Sequence, residues 1–153
     1  MTENLGENLK KMREILNISQ AVLASSLDIT TGAVGLVEKG KSKLKTENLI
    51  KLINKYHTNI NWLLTGEGAM FLSRKNTFEL KQKNIDYQNF GNRLCKLIEK
   101  SGLDLNTFAG VVDIKFERLA DLCVGKKPTI DEVISIVECF NITADYLLLG
   151  IEE

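Results

Sequence analysis

Two stretches of this chain follow one pattern, and that repetition limits the fold more than any other feature. Residues 5–41 read "LGENLKKMREILNISQAVLASSLDITTGAVGLVEKGK", and residues 90–126 read "FGNRLCKLIEKSGLDLNTFAGVVDIKFERLADLCVGK". At an offset of 85, Gly6 meets Gly91, Leu9 meets Leu94, Lys11 meets Lys96 and Glu14 meets Glu99. Ala24 then meets Ala109, Asp28 and Ile29 meet Asp113 and Ile114, and Gly40 and Lys41 meet Gly125 and Lys126. After a one-residue gap, Ile50 meets Ile134, Tyr56 meets Phe140, and "NWLLTG" (61–66) meets "DYLLLG" (145–150). A chain of 153 residues has room for two such copies, each too small to be anything but one simple domain.

Each copy reads as five short helices. In the first, Leu5, Leu9, Met12 and Leu16 recur at helical spacing, so they define one buried face. Ser19 is a good N-cap for a second helix running through Leu27. Thr30 or Thr31 caps a third, which Gly40 ends. Thr46 opens a fourth to about Tyr56, and Asn59 opens a short last helix with Trp62, Leu63 and Leu64. In the second copy Asp104 takes the place of Ser19, and "TIDE" (129–132) forms a capping box. The expected fold is all-α: residues 1–72 as one domain, 73–88 as a linker, and 89–153 as a second domain.

Composition narrows the function classes. No apolar run approaches the roughly 18 residues that span a bilayer, and the polar N-terminus lacks the apolar stretch of a signal peptide; a cytoplasmic location is expected. Cys95, Cys123 and Cys139 form no CxxC pair, and the lone His57 reads as a loop residue. No metal site, cofactor or catalytic constellation is expected. Net charge is zero, but unevenly spread. Residues 1–75 hold eleven Lys/Arg against seven Asp/Glu, a balance of +4; residues 76–153 hold nine against thirteen, −4. The first half suits phosphate and the second does not.

Two helices joined by "LDITT" suit a helix-turn-helix. Through "SQAVLASSLDITTGAVGLVEKGK" (19–41) and "INWLLTGEGAMF" (60–71), the first copy closely resembles the phage-repressor/Cro-type helix-turn-helix family. The resemblance covers residues 4–72 well and 89–150 more loosely. It implies a lambda-repressor-like fold in tandem and binding of double-stranded DNA, usually as a homodimer that represses transcription. It also implies that Thr31 to Glu38 enters the major groove, that Gln20 bonds a phosphate, and that Arg13 and Glu38 form a salt bridge linking the first and third helices.

On the third helix, Val34 and Val37 face inward, leaving Gly32, Gly35, Leu36 and Lys39 on the other face. That face holds no Arg, Gln or Asn for reading a base edge. The base-facing set is therefore Thr31, Gly32, Gly35 and Leu36, with close backbone approach and DNA shape carrying recognition. The plain alternative is that Leu36 is an ordinary surface leucine and the glycines carry no role. Lys39, Lys41 and Lys43, with Lys45 and Lys51, form a basic rim for phosphates.

The second copy changes these positions. Gln20 becomes Leu105; Thr31, Gly32 and Leu36 become Phe116, Glu117 and Asp121; Arg13 and Glu38 become Ile98 and Cys123. Two carboxylates on the reading face oppose DNA, and Arg118, Lys126 and Lys127 offset them only partly. Replacing both ends of a salt bridge together is the tolerable way to lose one. The second copy is expected to be an interaction or dimerisation module, with Phe116, "DYLLLG" and Val133–Val137 as core or dimer surface, and no self-cleaving peptidase. The alternative function is a protein-interaction module, an antitoxin or adaptor, that keeps the fold without specific DNA binding.

Overall fold

The computed structural model describes residues 2–73 and 85–151. The chain divides into two compact units, residues 1–83 and 84–153. Every element of regular structure among the described residues is a helix, apart from one isolated bridge between Thr58 and Phe71. The first unit holds α1 (Thr2–Ile15), α2 (Gln20–Leu27), α3 (Thr31–Glu38), α4 (Thr46–Tyr56) and α5 (Ile60–Thr65). The second holds α6 (Tyr87–Ser101), α7 (Leu105–Val111), α8 (Phe116–Cys123), α9 (Ile130–Phe140) and α10 (Ala144–Leu149). Most of the segment read as a linker, residues 74–84, lies outside the described residues. Asp86 caps α6 by accepting from the backbone N–H groups of Gln88 and Asn89, so that helix starts two residues inside it.

The helix starts follow the side-chain caps. Ser19 accepts from the Val22 N–H, Thr30 from Ala33, Asn59 from Trp62 and Asp104 from Thr107. Thr129 and Glu132 form the reciprocal capping box of α9. Thr46 is not itself a cap; it is the buried first residue of α4 after Lys45. His57 is more than a loop residue: it is the left-handed cap that ends α4, with φ 57°.

Left-handed turns occur in the same order in both units. Asn17 (φ 53°) corresponds to Gly102 (69°), Asp28 (54°) to Asp113 (53°), Gly40 (68°) to Gly125 (92°), His57 (57°) to Asn141 (51°), and Gly66 (80°) to Gly150 (70°). Positive φ is uncommon for any residue but glycine. Five such pairs in register mean that the two backbones turn at the same places.

In the first unit α1 packs on α3 and α5, and α2 on α3 and α4. Leu9, Met12, Leu23, Leu27, Val34, Leu49, Leu52, Ile60 and Leu63 are wholly buried, and Leu16, at the rim, only partly. In the second unit α6 packs on α8 and α10, α7 on α8, and α9 on α10. Phe108 stacks on Phe140 there, with ring centroids 4.4 Å apart. Val133, Ile134, Ile136, Val137 and Leu147 to Leu149 are all buried, so they are core and not a docking surface.

Gly6 and Gly91 show why the two copies keep a glycine in the first helix. A Cβ on Gly6 would overlap the Val37 carbonyl oxygen and lie 3.0 Å from that of Glu38. A Cβ on Gly91 would lie 2.6 Å from the Cys123 oxygen and 2.9 Å from the Leu122 oxygen. Each glycine lets the first helix press on the C-terminal turn of the third. Both neighbours are backbone and cannot swing aside. Gly6→Ala is therefore expected to cost about 1–3 kcal/mol of overpacking, despite alanine's better helix propensity. Urea unfolding checks this; unchanged stability would contradict the close approach.

A second shared device was not legible in the alignment. The Asn8 amide donates to the carbonyls of Trp62 and Leu63 at 3.2 and 3.1 Å. Arg93, its counterpart, donates to those of Leu147 and Leu148 at 2.8 and 2.9 Å. Different side chains thus bond the carbonyls at the end of the last helix in each unit.

Candidate nucleic-acid interface

α2 and α3 meet at 106°, joined by the left-handed turn at Asp28. α3 buries Val34, Val37 and Glu38. Its outward residues are Thr31, Gly32 and Leu36, all exposed, with Leu36 46% accessible. A Cβ on Gly32 would touch nothing within 4 Å. A Cβ on Gly35 would meet only the Gln20 side chain, at 3.7 and 3.8 Å, which is ordinary contact. The fold therefore requires a glycine at neither position. All four base-facing candidates belong to this helix, though Gly35 is half-shielded by Gln20.

Behind this face lies a compact polar knot. The Arg13 guanidinium donates to both Glu38 carboxylate oxygens, at 2.6 and 3.1 Å, and to the Ile18 carbonyl at 3.2 Å. Gln20 adds a bond from its amide nitrogen to Glu38 at 2.8 Å. Burial pushes the Glu38 carboxyl up, but the hydrogen bonds from Arg13 and Gln20, with the Arg13 charge, hold it below its ordinary value. This knot fixes α1, the start of α2 and the end of α3 together. The salt bridge follows the expected pairing; the part of Gln20 was not legible in sequence. Its amide nitrogen carries a second N–H, so Gln20 can still donate to a phosphate without leaving Glu38.

Lys39, Lys41 and Lys43 are exposed at the end of α3 and beyond it, as is Lys45. Lys51 does not belong to this rim. Its ammonium donates to the Leu27 carbonyl at 3.0 Å and pairs with Asp28 at 2.9 Å, closing the C-terminus of α2.

The second unit presents different chemistry at the matching places. Burial pushes the Cys123 thiol up to about 12, and the neighbouring Cys95 thiol adds to this. An uncharged thiol thus stands where Glu38 stands in the first unit. Phe116, Glu117 and Asp121 are exposed. Arg118 offsets the acids only in part: its charge acts on Asp121, but it is held by Glu132 at 2.6 Å and donates to the Lys127 carbonyl at 2.8 Å.

Among the described residues no group of His, Cys, Asp and Glu could hold a metal ion, and no single helix is long and apolar enough to cross a membrane. Residues 6–69 match the family described as helix-turn-helix domain, and the chain carries such a domain in its N-terminal part. No curated protein and no solved structure matches the chain.

Proposed function

We propose that residues 6–69 bind double-stranded DNA with α3 in the major groove, and that the protein is a dimeric, cytoplasmic transcriptional repressor. The observation that carries this reading is the bare outward face of α3. An interior glycine such as Gly35 costs a helix about 1 kcal/mol relative to alanine, and Gly32, in the first turn, costs less. The fold offers no compensation at Gly32 or Gly35, since a methyl group fits at both. A groove floor or wall pressed against the backbone does. Thr31 offers a hydroxyl and a methyl, and Leu36 suits thymine methyl groups. Gln20, Lys39, Lys41 and Lys43 take phosphates and set the register, while Arg13 and Glu38 hold α3 in place.

Gly32→Ala separates fold from function. The variant keeps or gains stability, by up to about 1 kcal/mol. Its DNA affinity falls about tenfold, the scale of a steric misfit at a packed contact. Thermal unfolding and equilibrium DNA binding measure the two effects. Undiminished affinity would sink the close-approach model and favour an adaptor or antitoxin, in which exposed Leu36 meets a protein.

A further inference from the structure

In the second unit the end of α8 meets α6 at two successive turns, and the second contact is between thiols. Gly91 lets α6 press on the Cys123 and Leu122 carbonyls. Cys95 lies one helical turn further along the same face, and its Sγ stands 3.9 Å from the Cys123 carbonyl oxygen. There the Cys95 and Cys123 thiols are close enough to hydrogen-bond each other. The same two places are neighbours in the first unit. Lys10 and Glu38 occupy them, and the Lys10 charge acts on the Glu38 carboxylate. The fold thus brings these positions together in both copies, with opposite charges in one and two oxidisable sulfurs in the other. Both thiols are only half-buried, so a small oxidant reaches them. Cys139, exposed on α9, bonds the Val111 carbonyl instead.

We propose that Cys95 and Cys123 form a reversible disulfide that staples α6 to the end of α8 when the protein meets a hydroperoxide. The Cys95 thiolate attacks a peroxide oxygen and the O–O bond breaks. Cys95 becomes a sulfenic acid, and the departing oxygen takes up the proton that Cys95 gave off. The Cys123 sulfur then attacks the Cys95 sulfur, and the S–O bond breaks as water leaves with the Cys123 proton. In sum, two thiols lose two electrons to one hydroperoxide, which ends as an alcohol, or water, plus water. Burial and the Cys95 neighbour push the Cys123 thiol up to about 12, so Cys95 meets the oxidant first and Cys123 resolves it. In a reducing compartment the pair rests as thiols, and small thiols restore it after oxidation. The bond joins residues 28 apart in sequence, and so removes freedom from the unfolded chain. It clamps the first helix to the end of the third, as the Arg13–Glu38 ion pair does in the first unit. The proposal is independent of DNA reading by the first unit.

The test uses the full chain carrying Cys139→Ser, so that only the two thiols in question remain. It is treated with a small molar excess of hydrogen peroxide, and free thiols, intact mass and linked peptides are read with and without dithiothreitol. Both thiols disappear, the mass falls by two hydrogens, the chain stays monomeric, and one peptide pair joins Cys95 to Cys123. The melting temperature of the second unit rises by about 5–15 °C, and dithiothreitol reverses every change. Adding Cys123→Ser leaves a sulfenic acid on Cys95, trapped by dimedone, and no rise in melting temperature. Thiols that survive the peroxide overturn the proposal, as does separate oxidation of each to sulfinic acid or a link formed between two copies. A Cys95–Cys123 bond that leaves the melting temperature unchanged refutes the staple.

Discussion

Arg13→Leu, with Glu38 left in place, lowers the stability of the first unit by about 3–5 kcal/mol at neutral pH, the cost of stranding one partner of a buried pair. The Glu38 side chain is 3% exposed and that of Arg13 14%. Without the guanidinium, the carboxylate keeps the hydrogen bond from Gln20 but loses its counter-charge. Its pH dependence has a definite sign. In the wild type the Glu38 carboxyl sits below its ordinary value of 4.5, so its contribution is complete above about that pH and is lost as pH falls through the depressed folded value. In the variant burial dominates and the folded value lies above the ordinary one. The penalty is then greatest at neutral pH and shrinks as acid neutralises Glu38. Changing both residues to leucine recovers much of the loss, as Ile98 and Cys123 illustrate in the second unit. Urea unfolding at pH 7 and pH 4 provides the check. A small deficit that ignores pH would contradict the role given to the knot.

Salt produces the largest change expected in binding. A dimer that neutralises roughly 6–10 phosphates loses about 10³–10⁵ in DNA affinity between 50 and 200 mM salt. Lys41→Ala with Lys43→Ala removes up to four contacts per dimer and lowers the slope of log affinity against log salt by about 3–4. The loss is similar for all DNA sequences, since phosphate contacts position without specifying. Lys51→Ala leaves the slope unchanged, because its ammonium is committed to Leu27 and Asp28. An unchanged slope in the Lys41 and Lys43 variant would remove the basic rim from the account.

What could be read from the sequence was local. Ser19, Thr30, Asn59 and Asp104 mark helix starts because a cap acts within three residues of itself. The bounds of α2 and α3 follow, as does the inward face of Val34 and Val37. Gly6 and Gly91 aligned, but their reason did not show, because it lies in carbonyls of a helix some thirty residues further along. Gln20 bonding Glu38, Lys51 closing α2 and Arg118 engaging Glu132 depend on how helices cross. No periodicity carries that information. Asn8 and Arg93 share a task but no chemistry, so alignment passes over them. "DYLLLG" and Val133–Val137 look equally apolar as core or as interface; burial assigns them to the core and leaves Phe116 outside.

The central claim is that α3 of the N-terminal domain reads duplex DNA. Selection of the full-length protein against a random duplex pool at moderate salt, followed by sequencing, tests it most directly. The account predicts enrichment of an inverted repeat with half-sites about one helical turn apart. Weak, salt-sensitive retention with no enriched sequence would contradict it.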